Sequence, residues 1–152
     1  MRIALLSAFT VALSLLVACG DDTCATGETC SCSLAGVCTW NCPDGGCSYV
    51  ADGAGAATLT CDGGDCDLTA SGAGAVAFDC LAGGCTVTAT GQGDVSLTCE
   101  GGGCSVDTTG QGAIDVACAG GGCTVDCGGQ GTCTITDCDD CTCEAGLTGV
   151  CL

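Results

Sequence analysis

Apolar and polar residues alternate along most of this chain, and short glycine-bearing segments interrupt the alternation at regular intervals. A period of two sends successive side chains to opposite faces of an extended backbone, so the pattern predicts short strands with one buried face. The pattern also repeats. Cys42, Cys61, Cys80, Cys99 and Cys118 stand 19 residues apart, and Cys47, Cys66, Cys85, Cys104 and Cys123 follow in the same register. Each unit carries two strands. The first turns Tyr49, Leu68, Val87, Val106 or Val125 inward, and the second Leu59, Phe78, Leu97, Val116 or Ile135. The intervening positions are mostly Ser, Thr and Asp, such as Thr86, Thr88, Asp107 and Asp126, which suit a solvated face. Glycine recurs at the fourth, twelfth and fourteenth positions of the unit, for example Gly64, Gly72 and Gly74. Such recurrence marks turns that need positive φ or have no room for a side chain.

Five of these units fill residues 42–136. Wound as coils, they form a narrow, disulfide-stapled, all-β solenoid whose 19-residue turns stack about 4.8 Å apart, or about 24 Å for the five. An antiparallel meander of five hairpins fits the same alternation. The unvarying repeat length favours the solenoid, because an inserted residue flips a strand in a stacked coil, whereas hairpin loops vary readily. The segments 19–41 and 137–152 are cysteine-rich and read as caps over the terminal strand edges. Trp40, where the first cap meets the first coil, reads as cap packing.

Cysteine supplies the candidate chemistry. Each Cys-x-x-x-x-Cys frames a glycine turn, so the simplest pairing is local: Cys42 with Cys47, Cys61 with Cys66, Cys80 with Cys85, Cys99 with Cys104 and Cys118 with Cys123. Pairing between stacked coils competes, since a counterpart one coil away falls within the usual Cα range for a bridge. Cys127 and Cys133 flank the opposite turn and could close it. The flanks hold even sets: Cys24, Cys30, Cys32 and Cys38 before the repeats, Cys138, Cys141, Cys143 and Cys151 after them.

Composition narrows the function. The chain has 152 residues, 21 of them Cys, with 18 acidic residues, no His and one basic residue, Arg2. Binding to nucleic acid or to anionic lipid headgroups needs cationic side chains, so both are set aside as partners. Without Lys or His, general acid–base chemistry at neutral pH would fall to perturbed Asp, Glu, Tyr or Cys, and no enzyme activity is expected. Aromatics make up 3% of the chain, so a core this poor in large side chains calls for covalent staples.

Residues 1–18 look like an export signal. Met1-Arg2 carries a positive charge, Ile3 to Val17 is almost wholly apolar, and Leu16-Val17-Ala18-Cys19 precedes the acidic Gly20-Asp21-Asp22. This order resembles the lipobox of bacterial lipoproteins. The resemblance implies a diacylglyceryl group on Cys19, cleavage before it, and attachment to the membrane through lipid. Gly20, rather than Asp, after Cys19 leans toward the outer membrane where the organism has one. The apolar run, about 15 residues, is short of the roughly 20 that span a bilayer. Removing Cys19 from the count leaves 20 cysteines, which can pair completely.

In outline the repeats resemble calcium-binding repeat-in-toxin solenoids and cysteine-rich insect antifreeze solenoids. Gly91-Gln92-Gly93-Asp94-Val95-Ser96-Leu97 is similar to the calcium repeat, which makes Asp94 a candidate for weak Ca2+ association. Its counterparts are Ala in three units and Thr in another, so no ladder of ligands forms. Cys138-Asp139-Asp140-Cys141-Thr142-Cys143 is the best segment for thiolate metal binding, although disulfides are the default after export. No cofactor is otherwise expected. The residues thus point to a lipid-anchored envelope or surface protein with a structural or adhesion-like role, with calcium-binding and thiolate metal-binding modules as alternatives.

Overall fold

A computed structural model describes residues 21–33, 35–145 and 150–151. The described residues form two sheets and no helix. One sheet takes the odd strands in chain order: β1 (Asp21–Thr23), β3 (Cys38–Cys42), β5 (Ala57–Cys61), β7 (Val76–Cys80), β9 (Val95–Cys99), β11 (Ile114–Ala117), β13 (Cys133–Thr136) and β15 (Val150–Cys151). The other takes the even strands: β2 (Thr29–Ser31), β4 (Ser48–Ala51), β6 (Asp67–Ala70), β8 (Thr86–Ala89), β10 (Ser105–Thr108), β12 (Thr124–Cys127) and β14 (Thr142–Ala145). Every strand pair is parallel. The chain therefore crosses from one sheet to the other, returns, and lands one strand further on. This is a β-solenoid, and the parallel pairing excludes the antiparallel meander, whose hairpins pair antiparallel.

Identical register positions stack directly. Tyr49 pairs with Leu68, Leu68 with Val87, and Phe78 with Leu97. The inward rows of both sheets meet inside the coil, where Tyr49, Leu59, Leu68, Phe78, Val87, Leu97, Val106, Val116 and Val125 are buried. Tyr49 and Phe78 meet edge to face with ring centroids 5.8 Å apart. Burying a Val, Leu or Phe side chain contributes about 1.5–3 kcal/mol, and the narrow coil offers only one or two such side chains per strand.

Glycine lets the turns stack as closely as the strands. Gly64 takes φ of 76°, and a Cβ there would meet the Gly83 carbonyl oxygen of the next coil at 2.6 Å. At the opposite turn Gly74 has no positive φ, yet a Cβ would overlap the Gly55 carbonyl. The two turns thus need glycine for different reasons. Backbone bonds run through both turns as well, from Gly46 N–H to Gly64 O at 2.9 Å and from Ala73 N–H to Gly53 O at 3.1 Å. Extending the ladder around the whole coil leaves no loose loop to absorb an insertion, which accounts for the fixed repeat length.

Both flanks continue the coil. In the first segment β1 pairs with β3 and β2 with β4, and in the last β14 and β15 add to β12 and β13. Their turns differ in length: Thr23 pairs with Asn41, 18 residues on, and Thr134 with Val150, 16 residues on. Trp40 takes the register of Leu59 and is half-buried.

Candidate functional site

The densest chemistry lies along one turn edge of the solenoid, where β5, β7 and β9 each end in a cysteine and the next even strand begins just after another. The structure joins Cys42 to Cys47, Cys61 to Cys66, Cys80 to Cys85, Cys99 to Cys104 and Cys118 to Cys123, with Cα atoms 6.2–6.5 Å apart. Pairing is local, within a turn, and not between coils. The turn is narrow enough that both cysteines flanking it point inward across it. These bridges form a column, and neighbouring ones approach closely: the sulfurs of Cys42, Cys61 and Cys66 lie within 4.8 Å of one another, as do those of Cys99, Cys118 and Cys123. All ten cysteines of the column are at most 1% exposed.

Cys127 and Cys133 are bridged at the opposite turn, as their flanking positions suggested. Cys24–Cys30 and Cys138–Cys141 extend the column at its two ends, and Cys143 is also disulfide-bonded. The register of the flanking coils, invisible to the 19-residue spacing, brings these end pairs onto the same edge. The Cys32 thiol is free and buried, and it accepts a hydrogen bond from the Trp40 indole N–H at 3.0 Å. Cys19 lies outside the described residues.

Asp94 sits in the turn before β9. Its Oδ1 accepts a hydrogen bond from the Ala113 backbone N–H at 2.8 Å, so the carboxylate braces the adjoining coil. Asp115, on the neighbouring strand, lines the same open groove of about 250 Å³, whose floor includes Ala57, Ala75, Val76 and Ala77. Another groove, of about 330 Å³, is lined by Asp52, Ser71, Gln92 and the glycines and alanines of two turns. On the outer face of the even sheet Asp107 pairs with Asp126 and Asp126 with Glu144, a ladder of like charge. The described residues contain no Lys, Arg or His that could neutralise it.

The fold makes Tyr49 less acidic than a free tyrosine. Its hydroxyl donates to the Thr60 carbonyl at 2.8 Å, and burial, followed by the nearby Asp62 charge, pushes its pKa up to about 12. Both causes disfavour the phenolate.

Among the described residues no helix is long and apolar enough to cross a membrane. No protein-family model, curated protein or solved structure matches the chain. The column of bridges points to folding in an oxidising space outside the cytoplasm, because thiols this numerous and this close stay reduced in a cytosol.

Proposed function

We propose that this chain is an exported lipoprotein of the bacterial cell envelope, held to the membrane by lipid on Cys19, in the outer membrane where there is one. Its solenoid is a rigid acidic module with a structural or adhesion-like role. The observation that carries the reading is the column from Cys42 to Cys123, in which sulfur serves as scaffold. Scaffold sulfur needs an oxidising compartment, and the leader ending at Cys19 supplies the route to one.

A structural role suits the shape of the molecule. Its coils bury short apolar rows, its outer faces carry hydroxyls and carboxylates, and its turns are hydrogen-bonded from coil to coil. Calcium is not favoured by any further observation, since the candidate ligand Asp94 is engaged with the Ala113 amide. Thiolate metal binding at Cys138 and Cys141 is not favoured by any further observation either, since the two are joined in a disulfide.

Expression of the wild-type chain and Cys19→Ser in a bacterial host, with labelled palmitate and membrane fractionation, tests the proposal. Label and membrane association in the wild type, both lost in the variant, are the expected result. A full-length, unlabelled chain in the cytosol with freely titrating thiols would overturn it.

A further inference from the structure

The bridge between Cys138 and Cys141 differs from those of the column. Cys138 and Cys141 are both half-buried, whereas every cysteine of the Cys42–Cys123 column is at most 1% exposed. Their spacing is also shorter. They are three residues apart where the column pairs are five, so the last coil carries a Cys-x-x-Cys turn, Cys138-Asp139-Asp140-Cys141. Asp137 and Asp140 hold φ of 54° and 56° around it, the left-handed region that non-glycine residues seldom occupy. Finally, the backbone N–H of Cys123 donates to the Cys141 sulfur at 3.3 Å.

We infer that Cys138–Cys141 is a redox-exchange site, opened and closed by a dithiol reagent or protein while the buried column stays oxidised. Access favours it, because an attacking thiolate must reach a sulfur along the bridge axis, and only a half-buried bridge offers that. The amide of Cys123 then sets the direction of attack. A hydrogen bond to the sulfur stabilises developing negative charge, so Cys141 is the better leaving group and Cys138 the sulfur attacked.

The exchange balances without a further reagent. One thiolate of the dithiol bonds to Cys138 Sγ as the Cys138–Cys141 bond breaks, and Cys141 leaves as thiolate and takes a proton. The second thiolate of the dithiol attacks the reagent's own sulfur in that mixed disulfide, which closes the dithiol into a disulfide and releases Cys138. Two electrons and two protons pass from the dithiol to the pair.

The neighbouring bridge limits how far reduction spreads. The Cys118 sulfur lies within 4.8 Å of both Cys138 and Cys141, so a thiolate at Cys138 could attack Cys118–Cys123. That step would strand a thiolate on Cys123, which is 1% exposed, and burial disfavours the charge. Reduction therefore does not pass from Cys138–Cys141 into the column. Among the described residues β14, into which this turn leads, pairs with β12 alone, so the turn opens at lower cost than those between strands covered on both sides.

The test is a titration of the native mature protein with dithiothreitol, followed by iodoacetamide and peptide mass mapping. Cys138 and Cys141 are expected to alkylate at dithiol concentrations at least about tenfold below those that label Cys61, Cys66, Cys80 or Cys85, with the strand circular dichroism unchanged. Labelling of the column at the same concentration, or loss of strand signal at the first step, would overturn the inference. A short pulse with a monothiol, quenched in acid, is expected to leave its adduct on Cys138. An adduct on Cys141 instead would overturn the assigned direction. Cys138→Ser/Cys141→Ser is expected to lose the first reduction step and keep the later ones, and a first step that survives in it would place the labile bridge elsewhere.

Discussion

The Asp94 carboxylate accepts a hydrogen bond from the backbone N–H of Ala113, 19 residues and one coil further on, at 2.8 Å. An ionised acceptor on a backbone donor forms a charge-assisted bond, here weakened by solvent because the pair is exposed. Asp94→Ala should lower the unfolding free energy by about 1 kcal/mol, read by denaturant titration. Asp94→Asn, which keeps an acceptor oxygen, should recover part of it. Equal losses in the two variants would show that the charge, and not the bond, supplies the stability.

Position in the turn decides what a glycine tolerates. Gly103 has φ of 66° with nothing within 4 Å of a would-be Cβ, and Asp65 occupies the same position two coils earlier with φ of 54°. Gly103→Ala should cost about 1–2 kcal/mol, and Gly103→Asp less, since Asp tolerates the left-handed region. Gly93→Ala should cost more than either, because its Cβ would overlap the Gly74 carbonyl and the coils would have to separate. Thermal unfolding of the three variants ranks them.

Stacked like charges oppose the fold. Asp107, Asp126 and Glu144 pair in register on adjacent strands, and carboxylates about 4.8 Å apart repel by about 1 kcal/mol in water. Asp126→Asn removes the repulsion from both neighbours and should therefore raise stability by up to about 2 kcal/mol at low ionic strength. The gain should shrink as salt is added, because the charges are exposed. A gain that ignores salt would point to a cause other than repulsion.

Alkaline pH should loosen the core through Tyr49. Its folded pKa, about 12, stands above the ordinary value of 10.0, so the folded state holds the phenolic proton more tightly than the unfolded chain does. That contribution is fully present below pH 10.0 and is lost as pH rises through about 12. Tyr49 is the only tyrosine, so phenolate absorbance reports on it alone. A midpoint near 10 in the folded protein would contradict the buried setting. Tyr49→Phe should remove this part of the pH dependence and cost about 1 kcal/mol at neutral pH through the lost bond to Thr60.

Each bridge of the column closes a short loop. In the chain-entropy description a loop this small is worth about 2 kcal/mol, so Cys80→Ala/Cys85→Ala should lose roughly that amount and keep the strand signal. Full reduction should unfold the solenoid, because the losses add over the column while the apolar rows stay thin. Strand-type circular dichroism that survives strong reductant at room temperature would refute the stapling role.

Much of this molecule could be read along the chain. The alternation named the strands, the inward rows and the solvated faces, and the constant 19-residue spacing named the coil, because both are consequences of local backbone geometry and of what may be inserted into a stacked turn. Leu68, Phe78 and Leu97 are buried where the pattern put them. The glycine turns were legible too, although not which of them answer to φ and which to the carbonyl of the coil beside them.

Tertiary structure decided what depends on distance between coils. Local and inter-coil cysteine pairing were both compatible with the spacing, and the width of the turn selected the local one. The flanks joined the solenoid through turns of a different length, so no constant period could place Cys24, Cys138 or Cys141 on the sulfur edge. Asp94 found its partner in a backbone amide, which carries no signal in the identity of Ala113. A residue's own strand face follows from its neighbours in sequence, but its contact across the stack follows from register, and register exists only once the coils are laid on one another.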